Sequence, residues 1–202
     1  MKITEIKPQV RRPGRYAIFI DSAYVLSLSD TALLAQKLVP GQELTSEEVE
    51  ILKQIADEDK LYALVLRYVA LRMRSVWEVQ TYLRQKQCPP ALAENILNKL
   101  SNIGLLDDVV FAQAWIQNRK LLKPSSRRKI LLELRTKHVS ESVISQVLAE
   151  GAVDDRESLR EVVAKKRRNT QYQDTAKLTG YLARQGFSYD DIRSVLQDDD
   201  MQ

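Results

Sequence analysis

The sequence predicts a mainly α-helical protein, an elongated array of three tandem three-helix repeats with a small N-terminal β-hairpin extension. Three observations carry this reading. Apolar residues recur at helical spacing after Leu44. One apolar string is written three times at nearly constant offset. Aromatic and β-branched runs gather near the start of the chain.

Tyr16-Ala17-Ile18-Phe19-Ile20 and Tyr24-Val25-Leu26-Ser27-Leu28 read as two strands, with Asp21-Ser22-Ala23 as a tight turn between them. A further strand is expected near Ile3–Ile6. So small a sheet is marginal alone, so it should dock on the helices or on a partner. A short helix around Thr31–Leu38 is broken by Pro40-Gly41. Thr45-Ser46-Glu47-Glu48 is a helix start, with Thr45 as N-cap and Glu48 at the third helical position. Further starts fall at Pro89-Pro90, Asp107, Ser125-Ser126, Ser140 with Glu141, Asp154, and Ser188 with Asp190-Asp191. Gly104, Gly151 and Gly186 mark helix ends.

The repeat organises the rest. Val79-Gln80-Thr81-Tyr82-Leu83-Arg84, Ile130-Leu131-Leu132-Glu133-Leu134-Arg135 and Leu178-Thr179-Gly180-Tyr181-Leu182-Ala183 align without gaps, 51 and 48 residues apart. The same offsets match Cys88 with Val139 and Phe187, Ala93 with Ile144 and Ile192, Ile96 with Val147 and Val195, and Leu97 with Leu148 and Leu196. A second echo pairs Gly104-Leu105-Leu106-Asp107-Asp108 with Gly151-Ala152-Val153-Asp154-Asp155; its first Asp is expected to cap a helix. Leading helices are expected over Glu58–Arg72, Asp108–Leu121 and Asp155–Arg168. One such unit buries little core, and stacking units in line buries more. The expected divisions are 1–44, 45–106, 107–153 and 154–202, forming a curved array without a deep central pocket.

Composition narrows the chemistry. The chain has 202 residues, with 31 Lys+Arg against 27 Asp+Glu. One Cys excludes a disulfide framework and a multi-cysteine zinc site, and one His leaves almost no room for a His-based triad. No Gly-rich phosphate loop or Gly-x-Ser-x-Gly elbow occurs. No apolar run approaches the roughly 20 residues of a membrane span, and Met1-Lys2-Ile3-Thr4-Glu5 lacks a signal-peptide stretch. A cytoplasmic protein with no metal, cofactor or catalytic residue is expected. His138 reads as a packing or capping residue, Cys88 as core, and Asp198-Asp199-Asp200 as a solvated tail.

Charge is unevenly spread. Glu43, Glu47, Glu48, Glu50, Asp57, Glu58 and Asp59 crowd one segment. Arg119, Lys120, Lys123, Arg127, Arg128, Lys129, Arg135 and Lys137 crowd another, and Lys165-Lys166-Arg167-Arg168 form a further basic cluster. On a helical wheel Ile130, Leu131 and Leu134 make a core stripe, while Arg128 and Arg135 share another face with Leu132. These cations form either a strip that contacts phosphates or the acidic groove of a protein, or ordinary solvated faces. Trp77, Tyr82, Phe111, Trp115 and Tyr181 read first as packing residues and second as a stacking platform.

Over essentially its whole length the chain resembles the RecX family, bacterial regulators of the recombinase RecA. The resemblance rests on Asn102-Ile103-Gly104-Leu105-Leu106-Asp107-Asp108, on Phe111-Ala112, Trp115-Ile116 and Arg119-Lys120, and on the Ile130–Leu134 helix. It extends to Tyr181-Leu182-Ala183-Arg184-Gln185-Gly186-Phe187 and to the early Arg15-Tyr16-Ala17-Ile18-Phe19-Ile20-Asp21 strand. It implies tandem three-helix repeats lodged along the groove of a RecA-type filament on single-stranded DNA, where they inhibit recombination and ATP hydrolysis. A role in DNA repair, homologous recombination and the SOS response follows from it. By motif match the resemblance implies a basic residue at Arg119 and a basic segment at Lys120, Lys123, Arg127 and Arg128. With the charge clusters, the expected filament- and DNA-binding set is Arg119, Lys120, Lys123, Arg127, Arg128, Lys129, Arg135, Lys165, Lys166, Arg167 and Arg168, on a monomer without cofactor. This chain has Leu121-Leu122-Lys123-Pro124 where the family usually has a loop glycine, and His138 where it often has glycine after the middle helix. The alternative is an independent helical DNA-binding or transcriptional module acting on duplex DNA. No constellation of residues points to an enzyme.

Overall fold

The structure is a computed structural model that describes residues 1–150 and 154–200. It divides into two compact units, Met1–Arg72 with Tyr82–Asn98, and Met73–Thr81 with Lys99–Gln202.

In the first unit β1 (Ile3–Pro8), β2 (Arg15–Ile20) and β3 (Ala23–Ser29) form an antiparallel sheet in the order β1-β2-β3. Asp21 and Ser22 both have positive φ, 48° and 68°, which turns β2 tightly into β3 with Ile20 opposite Ala23. Side chains alternate across the sheet. Ile3, Ile18, Ile20, Leu26 and Leu28 point into a core shared with Leu38, Leu44, Val49, Leu52 and Ala56, so the small sheet docks on α1 (Asp30–Ala35) and α2 (Ser46–Ala70). Asp59 of α2 fastens the far end of β3. It meets the Arg15 guanidinium at 2.8 Å and accepts hydrogen bonds from the Ser29 amide and hydroxyl at 2.9 and 2.5 Å.

α2 starts with the expected capping box: the Glu48 amide donates to Thr45 Oγ1, and the Thr45 amide donates to the Glu48 carboxylate. It then runs 25 residues without a break. The separate leading helix expected over Glu58–Arg72 is therefore the second half of one helix. No Gly or Pro lies between Ser46 and Ala70 to end it. Tyr68 of α2 stacks flat on Tyr82, with centroids 4.2 Å apart.

α3 (Val76–Gln85), α4 (Pro90–Asn102), α5 (Asp108–Leu122), α6 (Arg127–Thr136), α7 (Glu141–Glu150), α8 (Asp155–Arg167), a 3-10 turn (Thr170–Tyr172), α9 (Thr175–Arg184) and α10 (Tyr189–Asp200) complete the chain. The aligned apolar positions form the cores. Phe111, Ile116, Ile130, Leu134, Ile144 and Val147 share one cluster; Leu159, Val163, Leu178, Leu182, Phe187 and Ile192 share another. Of the aligned positions, Ala93 and Leu97 alone are half-buried, while Ile96 and Leu100 of the same helix are fully buried. Cys88 is buried as expected, and desolvation, then the Glu58 charge, pushes its thiol above the usual cysteine range. The expected stop at Gly151 and the Gly151-Ala152-Val153 echo lie outside the described residues. The backbone of Asp198, Asp199 and Asp200 forms the last turn of α10 rather than a tail.

Each middle helix ends in the same way. Gln87, His138 and Gly186 take the left-handed conformation, at φ 56°, 54° and 89°. The next amide then reaches back, Cys88 to Leu83 O, Val139 to Leu134 O and Phe187 to Leu182 O. This is a Schellman closure with an apolar residue after the left-handed one. His138 additionally stacks on Trp77 at 4.1 Å, the packing and capping role expected of it.

Within the second unit a three-part clasp is built twice at repeat-equivalent positions. The buried N-cap Ser75 of α3 donates its hydroxyl to Lys137 O at the end of α6, at 2.9 Å; the buried N-cap Ser126 of α6 donates to Gln185 O at the end of α9, at 2.8 Å. A carboxylate from the following leading helix accepts the first helical amide, Val76 N–H to Asp108 at 2.9 Å and Arg127 N–H to Asp155 at 2.6 Å. Side chains close the third point, Lys137 on Glu78 at 2.8 Å and Lys129 on Gln185. Asp107 and Asp154, the preceding acids, cap their own helices, as their spacing predicts.

Candidate binding surface of the helical repeats

The basic residues singled out from sequence divide by environment. Arg119 lies inward: its Nε donates to Glu133 at 2.7 Å, the two side chains are 25% and 21% exposed, and its guanidinium lies 5.1 Å from the Trp115 ring centroid. Trp115 Nε1 donates to the same carboxylate at 2.9 Å. Lys120 is half-buried in the last turn of α5. Arg127 is tied by its amide to Asp155 and by Nη1 to Leu148 O at 3.2 Å. Lys129 is half-buried on Gln185; desolvation, helped by the charges of Lys123 and Arg119 and opposed by Glu133, holds its ammonium below the usual lysine range. Arg135 forms a two-point pair with Glu141, at 2.6 and 3.0 Å, which lowers the Glu141 carboxyl and raises the guanidinium through the shared hydrogen bonds. Arg167 donates to Gln173 O at 2.9 Å. The structure does not join these residues into one open strip.

It does bring two separate sequence clusters together. Lys123, at the end of α5, meets Lys165 and Lys166 of α8 around a cleft of about 260 Å³, with Leu122, Pro124, Val162, Tyr181 and Glu161 as the other walls. The Lys166 ammonium sits 4.4 Å from the Tyr181 ring centroid and 5.0 Å from that of Tyr172. Lys123 and Lys165 are exposed, as are Arg128 at the start of α6 and Arg168 after α8. Leu121 and Leu122, 79% and 74% exposed, stand beside them where α5 ends. The convergence was not readable from sequence, because Lys123 and Lys165 belong to different repeats. The exposed leucine pair was visible only as an unusual loop.

Three aromatic rings of the repeats singled out from sequence are engaged by packing. Tyr82 is covered by Tyr68, Trp77 by His138, and Tyr181 lies against Tyr172 at 5.2 Å. Among the described residues no group of three or more His, Cys, Asp or Glu is placed to hold a metal ion, and no helix is long and apolar enough to cross a membrane.

An antiparallel sheet module followed by three-helix repeats, with a basic cleft where the second repeat meets the third, defines a tandem helical-repeat protein. The regulatory protein RecX N-terminal domain matches residues 1–45, and the first, second and third RecX three-helix domains match residues 62–100, 107–148 and 154–196. The chain belongs to the RecX family of regulatory proteins. It is 36% identical over 155 residues to regulatory protein RecX of Lactobacillus johnsonii, covering 77% of this chain and 56% of that protein. It is 38% identical over 153 residues to the Halalkalibacterium halodurans protein of the same name, covering 72% and 56%. The matched stretch thus spans little more than half of each relative. A crystal structure of regulatory protein RecX superposes with a TM-score of 0.73 at 25% identity, covering 97% of this chain and 98% of that one. The RecX structure from Lactobacillus salivarius shares the fold, with a TM-score of 0.61 over 72% of this chain and 98% of its own.

Proposed function

We propose that this chain is a non-catalytic regulator that binds a RecA-type recombinase filament on single-stranded DNA and restrains its strand exchange and ATP hydrolysis. Membership of the RecX family supports the partner. The observation that carries the contact surface is the convergence of Lys123, Lys165 and Lys166 on one cleft, flanked by exposed Leu121 and Leu122. Ammonium groups there attract phosphates or carboxylates, and the leucines supply apolar area for a protein surface. In this reading Arg128 and Arg168 extend the contact. Arg119, Arg127, Lys129, Arg135 and Arg167 hold the scaffold that presents it. The protein acts by occupancy, without cofactor or membrane, as a cytoplasmic monomer.

The test uses Lys123→Glu with Lys165→Glu, both exposed and outside the core. The variant is expected to keep its far-ultraviolet spectrum and urea midpoint while losing co-sedimentation with recombinase filaments and inhibition of their ATPase. Undiminished inhibition by the folded variant rejects this surface. Sequence preference on free duplex DNA would instead favour an independent DNA-binding module.

A further inference from the structure

We propose that the outward face of the N-terminal sheet is a stacking site for an unpaired nucleobase, with the adjoining phosphates held by Lys7 and the cationic β1–β2 loop. The site lies in the first unit, goes beyond the filament reading and does not rest on it.

Strand register defines the face. The inner positions of β2 and β3 feed the core with α1 and α2. The pairings Lys7 with Ala17 and Ala17 with Ser27 make one outward row, and Glu5 with Phe19 and Phe19 with Tyr24 make the next. The Phe19 and Tyr24 rings meet edge to face, with centroids 6.0 Å apart and planes at 74°. Tyr24 is 56% exposed, so its ring is open to a planar ligand. The Lys7 ammonium lies 5.8 Å from the Phe19 centroid and 2.8 Å from the Glu5 carboxylate. At the Pro8 end of the same face the chain enters the loop that carries exposed Arg11 and Arg12.

Two contrasts point to single-stranded nucleic acid. The rings of Trp77, Tyr82 and Tyr181 already have ring partners within the repeats, and exposed Tyr189 is followed by Asp190 and Asp191, whereas exposed Tyr24 shares its face with Lys7. Charge favours a polyanion: before α1 the bases Lys2, Lys7, Arg11, Arg12 and Arg15 outnumber the acids Glu5 and Asp21, and only Arg15 is held inward, by Asp59. Aromatic rings beside cations are what sequence-neutral binding of single strands uses, because every base has a stackable face once it leaves a duplex.

The experiment measures binding of labelled oligothymidylate to the full chain at low salt without recombinase. Tyr24→Ala is expected to weaken binding by at least about fivefold, the low end for one base–aromatic stack. Tyr24→Phe should stay within twofold of the parent, since the ring and not the hydroxyl makes the contact. Replacing Lys7, Arg11 and Arg12 with Ala should flatten the salt dependence by about two units of slope, at roughly 0.7 per phosphate contact. Should Tyr24→Ala fail to fold, photocrosslinking of the parent with 5-iodouridine oligonucleotide decides, and attachment to β2 or β3 is expected. The proposal falls if folded Tyr24→Ala binds normally, if Tyr24→Phe loses as much as Tyr24→Ala, or if crosslinks map only to the helical repeats. Unchanged oligonucleotide binding with weakened filament binding would also overturn it, in favour of a protein-docking face.

Discussion

Gly186 is fixed by its backbone and by its neighbour. Its φ is +89°, and an added Cβ would stand 2.6 Å from Ser126 Oγ. Left-handed backbone costs a residue with a side chain about 1–2 kcal/mol, and here the methyl group also displaces a clasp hydroxyl. Gly186→Ala should therefore lower unfolding free energy by about 2 kcal/mol in urea titrations. Gln87, at the equivalent position and exposed, already bears the strain. Gln87→Gly should stabilise by up to about 1 kcal/mol, the relief of left-handed strain less the backbone entropy of glycine. Asp108 and Asp155 titrate abnormally for a shared reason. Desolvation raises both carboxyls, outweighing the hydrogen bonds from the Val76 and Arg127 amides that lower them. A raised folded-state pKa gives stability that is complete below the ordinary aspartate value and lost as pH rises through the raised one. Asp108→Asn with Asp155→Asn keeps an acceptor oxygen at both sites. That variant should resist urea better than the parent near pH 7, and the gap should close as the carboxyls protonate. A gap that is constant with pH would contradict the assignment.

At the scale of elements, the middle helices were legible because their apolar spacing, N-cap residues and left-handed ends are local signals. His138 sits at a left-handed position where the family often has glycine, so the departure noted in the sequence preserves the turn. The continuity of α2 was less legible, because a good N-cap at Thr45 and a second leading-helix pattern at Glu58 do not say whether a break separates them. The clasps were hidden altogether. Their partners are far apart in sequence, 62 residues for Ser75 with Lys137 and 59 for Ser126 with Gln185. A serine at a helix start otherwise reads as nothing more than a cap. Ser126→Ala removes cap and clasp together and should cost about 2 kcal/mol, the upper end for a lost N-cap. Combined with Gly186→Ala the loss should be less than additive, because both changes break the same contact. Strict additivity in a double-mutant cycle would mean that the Ser126–Gln185 bond contributes no coupling.

For the whole molecule, a formal net charge of +4 conceals cations with opposite duties. Counting basic residues picks out the charged segments, but it cannot tell an arginine that braces α5 against α6 from a lysine that faces solvent. That distinction depends on Glu133, Glu141, Asp155 and Gln185 arriving from other turns and repeats. Arg119→Glu sets a second carboxylate beside Glu133 and Trp115, and should lower stability by about 2 kcal/mol or more. Lys123→Glu should leave the urea midpoint nearly unchanged. Equal effects of the two on folding would erase the division between scaffold and surface.

The placement of the two tryptophans gives the protein an internal optical reporter. Trp115 donates its indole N–H to Glu133 on α6, and Trp77 lies against His138 just beyond the end of that helix. Every indole in the chain therefore adjoins the second repeat's middle helix. Its emission will follow the melting of α6 locally, and a comparison with far-ultraviolet circular dichroism will show directly whether that helix lets go before the rest.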